Sequence, residues 1–125
     1  MIDYKNKNIL VLAYLGDAIY EVYVRKFLIG KGDKKVDSLQ KEAIKYVSAK
    51  KQREYLEVIM DSNFFSDIEL EIIGRARNHK GNRHPKNTDI VTYKYATALE
   101  AVIGYLYLTD KKRLDVLISD YIINR

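Results

Sequence analysis

Two acids lie where charge is expensive. Glu100 sits in Ala98-Leu99-Glu100-Ala101-Val102-Ile103-Gly104-Tyr105-Leu106-Tyr107-Leu108, a stretch apolar on every face of a helix, and Asp17 sits in Leu15-Gly16-Asp17-Ala18-Ile19. An ionised carboxylate among apolar side chains is destabilising unless it is protonated, paired with a cation or bound to a metal. A glycine accompanies each acid, Gly16 just before Asp17 and Gly104 one turn after Glu100. Glycine inside a helix costs about 1 kcal/mol against alanine, so it points to something approaching closely. The pattern predicts a packed helix pair presenting Asp17 and Glu100 toward a divalent cation; the alternative is that each acid meets an Arg or Lys from a neighbouring helix. Oxygen ligands without any cysteine favour Mg²⁺ or Mn²⁺ over zinc.

A second set of residues is cationic. Between Gly74 and Thr88 the chain carries Arg75, Arg77, Lys80, Arg83 and Lys86 and no acid, and those charges equal the net charge of +5 left by 22 Lys+Arg against 17 Asp+Glu. The clusters Lys50-Lys51-Arg53 and Lys111-Lys112-Arg113 are interrupted or flanked by carboxylates and read as ordinary solvated helix surface. The acid-free segment is therefore the candidate for an anionic partner. Beside a carboxylate-held Mg²⁺ it points to phosphate-ester chemistry, with metal-activated water and a stabilised leaving oxygen. The only histidines, His79 and His84, sit in the same segment, so metal-free RNA cleavage through the 2′-hydroxyl with the two as acid and base is a competing chemistry. They lack the further ligands of a zinc site. The eleven tyrosines fall mainly inside helices and read as core and interface residues, not base-stacking platforms.

Helices must hold these groups. From Ile9 to Ile29 the chain is apolar nearly all round except for Asp17, Glu21, Arg25 and Lys26, which predicts a mostly buried helix stopped by Gly30-Lys31-Gly32-Asp33. Val36, Leu39, Ala43 and Val47 predict a second helix capped by Asp37 or Ser38, and Tyr55, Leu56, Ile59 and Met60 continue it or form a third. Ser66-Asp67-Ile68-Glu69 matches a capping box that starts a helix running toward Arg77. Pro85, the only proline, makes the basic segment a loop beside Gly81 and Asn82. Thr88 or Asp89 then caps a long helix from about Ile90 to Leu108, and Thr109 or Asp110 begins a last one ending near Ile123. No hairpin signal interrupts the helical spacing. With 125 residues, 47% of them hydrophobic, the expectation is one all-α domain of about six helices. No apolar stretch approaches the roughly 20 residues needed to span a bilayer. The N-terminus does not read as a signal peptide, and cysteine is absent, so a soluble cytoplasmic protein is expected.

Three motifs carry a family resemblance. Leu12-Ala13-Tyr14-Leu15-Gly16-Asp17-Ala18-Ile19-Tyr20-Glu21 resembles the ribonuclease III signature helix, and the stretch from Ala96 through Glu100 to Leu108 resembles that family's second catalytic helix. Gly74-Arg75-Ala76-Arg77-Asn78 followed by Pro85-Lys86-Asn87-Thr88-Asp89 resembles the short, stand-alone branch called Mini-III, although the branch usually has Gly where this chain has Ala76. The resemblance covers nearly the whole chain in order and leaves no length for the double-stranded-RNA-binding domain that longer members append. It implies an all-α ribonuclease III-like endonuclease bundle that forms a homodimer, with one Mg²⁺-dependent site per protomer, for which Mn²⁺ can substitute. Double-stranded RNA would lie across both sites, and the products would carry 5′-phosphates and short 3′ overhangs. In the Mini-III branch the implied role is trimming the large-subunit ribosomal RNA precursor, with a large-subunit ribosomal protein assisting.

Carried over by motif, Asp17 and Glu100 are the catalytic, metal-holding acids. Longer members have further acids where this chain has Ala13 and Thr97, a sparser set that the Mini-III branch shares. Glu21, one turn from Asp17, and Glu54 are possible additional acids. Arg75, Arg77, Asn78, Lys80, Arg83, Lys86, Asn87 and Thr88 would grip the RNA backbone across the minor groove. The rival from another class is a non-catalytic helical RNA-binding or ribosome-associated module that kept the fold and lost the metal.

Overall fold

The apolar run that begins at Ile9 forms α1 (Ile9–Gly30), started by Asn8, whose side chain accepts from the Leu10 amide at 2.9 Å. In the computed structural model, which describes residues 2–32, 34–80 and 86–124, a short 3₁₀ turn (Tyr4–Asn6) precedes it. The chain leaves α1 through Gly32, whose φ of 129° lies in the region that side-chain-bearing residues avoid. Next come α2 (Val36–Val47) and α3 (Ala49–Asp61), two helices rather than one, because Ser48 is extended and its hydroxyl accepts from the Lys51 amide at 3.3 Å. The expected caps of α2 are displaced: Lys35 holds the cap position without a side-chain bond, and Asp37 and Ser38 lie inside the first turn. A carboxylate there still favours the positive end of the helix dipole.

Both halves of the capping box form at the start of α4 (Asp67–Arg77), Glu69 amide to Ser66 hydroxyl at 3.3 Å and Ser66 amide to Glu69 carboxylate at 2.9 Å. Asp89 caps α5 (Ile90–Thr109), and Asp110 caps α6 (Lys111–Ile118), which runs on into a π-helical turn (Ser119–Ile123). The described residues contain no strand, and the fold is all-α as expected. They contain no helix long and apolar enough to cross a membrane.

The central element is α5. Ala98, Leu99, Ala101, Val102, Ile103 and Leu106 are buried in it, and α1, α3, α4 and α6 pack around it. Glu69 has a second task beyond its cap. It is 3% exposed and takes a two-pronged ion pair from Arg113 at 2.6 and 2.8 Å, while the Arg113 guanidinium lies 4.1 Å from the Phe64 ring centroid. That pair ties α4 to α6, and losing Arg113 would leave a buried charge unpaired.

One expectation for α1 fails. Leu12, Tyr20, Val24 and Leu28 are buried, but Val11, Tyr14, Ala18 and Val22 form an exposed stripe, with Tyr14 83% exposed. The neighbouring helices cover the inner faces of α1 and leave this stripe open, so an all-round apolar composition does not mean burial within one chain.

Candidate active site

The acids are brought together by a crossing that has no room for side chains. A Cβ added to Gly16 would stand 1.7 Å from the Glu100 carbonyl oxygen, and one added to Gly104 would stand 2.1 Å from the Leu12 carbonyl oxygen. The backbones of α1 and α5 therefore touch, and each glycine lies against the segment that carries the other helix's acid. Asp17 is exposed at the rim, and Glu100 is partly buried behind it. Burial, and then the negative charge of Asp17, push the Glu100 carboxyl from its ordinary 4.5 up to about 8. A hydrogen bond between the two acids acts in the same direction, so without a metal Glu100 is protonated near neutrality and donates to Asp17.

Gln52 completes the arrangement and was not foreseen. Its side-chain amide donates to the Val47 carbonyl at 3.0 Å and to Glu100 Oε2 at 3.3 Å, while its own Oε1 is buried without a partner. The signal was present in α3: Gln52, Tyr55, Leu56 and Ile59 are its buried positions, so a polar residue occupies the first place of the apolar register. Among the described residues neither Asp17 nor Glu100 makes an ion pair with Arg or Lys, so the alternative of simple pairing is not realised.

The donor set fits a hard cation. It combines two carboxylates of opposed helices, one of them held protonated by burial and by the other's charge, with a residue that contacts Glu100 through its amide and carries an orphaned amide oxygen, all oxygen donors. No cluster of three or more His, Cys, Asp or Glu suited to a metal occurs among the described residues, which matches the sparse acid set. Ala13 is buried in the core, and the Thr97 hydroxyl donates to its own helix at the Tyr93 carbonyl, 2.9 Å away. Glu21 pairs with Arg25 at 3.1 Å, although its charge is still felt at Glu100. Glu54 pairs with Lys51 at 3.2 Å and lines a different cleft, so the structure does not bring it to the acid pair.

The basic residues divide. Arg75 donates to the backbone carbonyls of Lys5 and Lys7, which ties the N-terminal segment to α4 and occupies both ends of its guanidinium fork. Arg77 lies 4.4 Å from the Tyr95 ring centroid and donates to the Tyr95 hydroxyl at 2.8 Å. Asn78, Lys80, Lys86 and Asn87 are exposed, and Thr88 is partly so; Arg83, His84 and Pro85 lie outside the described residues. The reading of Arg53 as ordinary surface is corrected. It donates to Thr92 Oγ1 at 2.9 Å and lies 4.9 Å from the same Tyr95 ring, because α3 packs along α5. Lys50, Arg53, Asn87 and Thr88 line one cleft of about 430 Å³ together with the carboxylates of Glu54, Glu57 and Asp89.

An all-α bundle that sets two carboxylates at a glycine crossing is the architecture of a ribonuclease III type of domain, and known proteins match it. A family profile described as Ribonuclease III domain matches residues 10–111. Mini-ribonuclease 3 of Staphylococcus aureus is 44% identical over 116 residues, spanning 92% of this chain and 87% of that protein. Mini-ribonuclease 3 of Enterococcus faecalis is 42% identical over 95% of this chain and 91% of its own, and that of Brevibacillus brevis is 49% identical over 84% and 77%. A crystal structure of a Fusobacterium nucleatum protein superposes with a TM-score of 0.81 at 34% identity, covering 92% of both chains. The chain belongs to the ribonuclease III family, in its Mini-ribonuclease 3 branch. It is an endoribonuclease.

Proposed function

We propose that this endoribonuclease cuts double-stranded RNA by Mg²⁺-dependent hydrolysis, leaving 5′-phosphates, with the large-subunit ribosomal RNA precursor as its substrate in the cytoplasm. The observation that carries the reading is the acid pair at the Gly16–Gly104 crossing, unpaired with any cation of the described residues and flanked by Gln52. Asp17 and Glu100 would hold the ion, Mg²⁺ or Mn²⁺ in its stead. Bound there, it would supply positive charge to the scissile phosphate and make water a nucleophile at neutral pH.

The protein's own groups do the rest. The Gln52 amide donates to Glu100 and orients its carboxyl, which would be held as the carboxylate with a cation bound. Asp17 is exposed, so a phosphate can reach it from solvent. Lys80, Lys86, Asn78, Asn87 and Thr88 contact backbone oxygens, which gives affinity without much choice of sequence. The uncovered stripe Val11, Tyr14, Ala18 and Val22 runs alongside Asp17 on α1 and supports a homodimer in which two sites face one duplex. A large-subunit ribosomal protein would present the precursor.

The test is a duplex RNA digest with Mg²⁺ or with chelator, comparing the parent with Asp17→Asn and Glu100→Gln. The expected outcome is cleavage that needs the metal and falls at least about a hundredfold in both variants, more than the loss of a supporting contact would cause. Cleavage that survives chelator and leaves cyclic phosphates would instead favour the histidines, and no cleavage by the parent would leave an RNA-binding module. Sedimentation showing only monomer at micromolar concentration would overturn the dimer.

A further inference from the structure

We propose that Arg53 and Arg77, both held against the ring of Tyr95, form a phosphate-binding site that grips the RNA backbone; this rests on the duplex-RNA reading above.

The site stands out by contrast with the other arginines. Arg113 also lies on an aromatic ring, but its charge is matched by the Glu69 carboxylate on two bonds. Arg75 is taken up by two backbone carbonyls. Arg77 has only the ring and hydroxyl of Tyr95, and no carboxylate partner among the described residues. Arg53 has the ring, the Thr92 hydroxyl, and Glu57 at 3.6 Å, a pair at the exposed rim. Each guanidinium carries five N–H donors in a planar fork, so both keep donors for an external anion.

Two like charges on one ring repel each other. The negative face of the ring offsets part of that repulsion, and an anion bridging or capping the pair would offset the remainder. The forks match the oxygens of a phosphate. Thr92 is itself oriented by Asp89, whose carboxylate accepts from the Thr92 amide at 2.8 Å and hydroxyl at 2.9 Å, so the cap of α5 sets the position of Arg53. With guanidiniums against it, Tyr95 serves as a platform for cations and not for a base, and the site reads backbone rather than sequence.

Its location ties it to the reaction. Arg53 directly follows Gln52, whose amide touches Glu100, and Tyr95 precedes Glu100 by five residues on α5. Arg53 also lines a cleft with Lys50, Asn87 and Thr88, whose carboxylates Glu54, Glu57 and Asp89 pair with Lys51, pair with Arg53 and cap α5 respectively.

Equilibrium binding of a labelled RNA duplex, measured in chelator so that nothing is cut and repeated across salt concentrations, tests the site. Arg53→Ala and Arg77→Ala should each lower the slope of log affinity against log salt by somewhat less than one, about the share of one phosphate contact. Lys112→Ala, which removes an exposed charge on α6, should leave the slope near the parent's. Arg53→Lys keeps the charge and loses the fork, and should restore only part of the affinity; thermal melts of each variant check folding. Slopes for Arg53→Ala and Arg77→Ala equal to that of Lys112→Ala, or full restoration by Arg53→Lys, would overturn the site. An inorganic phosphate titration read on the arginine Nε resonances separates the two layers. Shifts at Arg53 and Arg77 in a protein that ignores duplex RNA would uphold the anion site and sink the RNA reading, while no shift together with unchanged slopes would sink the site itself.

Discussion

The acid pair and the cation pair are built by opposite means. Asp17 and Glu100 are set by backbone: two helices meet so closely that neither Gly16 nor Gly104 can gain a methyl group. Arg53 and Arg77 are set by side chains, through one tyrosine ring, its hydroxyl and a threonine. The first construction fixes the two backbones against each other and leaves no room for a methyl group at either glycine. The second holds charge in a region while leaving donors free to follow a flexible polyanion. One protein thus keeps rigid geometry for its chemistry and adjustable geometry for its grip.

The largest effect should follow from attacking the rigid side. Gly16→Ala must push α1 off the Glu100 carbonyl, so a loss of at least about 3 kcal/mol is expected, read as a melting temperature lower by roughly 10 °C or more, with cleavage abolished. An unchanged melt would mean that the crossing is looser than described. Next is Gln52→Leu, which removes the amide from Glu100 at nearly constant shape. Mn²⁺ affinity should fall about 10- to 100-fold while the melting temperature stays close to the parent's.

The metal-free protein should also respond to pH. Because the folded Glu100 titrates near 8 and an unfolded glutamate near 4.5, the folded state binds the extra proton between those values. Stability is then full at the acid end of that window and is lost as pH rises through about 8. Mg²⁺ should reverse the trend, and Glu100→Gln should flatten it; a metal-free melt that rises from pH 6 to 8 would contradict the assignment. The smallest effects distinguish members of the basic segment. Arg75→Ala should lower stability by about 1 kcal/mol through its lost carbonyl bonds and leave duplex affinity within about twofold. Lys86→Ala should do the reverse, sparing the melt and reducing the salt slope by just under one.

What could be read from sequence followed the same divide. Helical periodicity, the Ser66–Glu69 box and the two glycine-accompanied acids are local patterns whose physics is complete within a few residues, and all of them form. Arg53 and Arg75 could not be sorted that way. Flanking charges made Arg53 resemble solvated surface, and only the packing of α3 on α5 brings it to Tyr95. Arg75 sits in the acid-free run, yet the fold puts two carbonyls in front of it. Gln52 was legible in principle as a polar residue in an apolar register, but its partner was set by tertiary contact. The exposed stripe on α1 shows the same limit, since composition does not say which apolar face is covered by its own chain.

The central claim is that Asp17 and Glu100 hold one cation between α1 and α5. Anomalous diffraction from a crystal soaked with Mn²⁺ tests it most directly. The account predicts a metal peak in contact with carboxylate oxygens of both residues, lost in Glu100→Gln. A peak elsewhere, with none at the acid pair in a protein that still cleaves RNA, would contradict it.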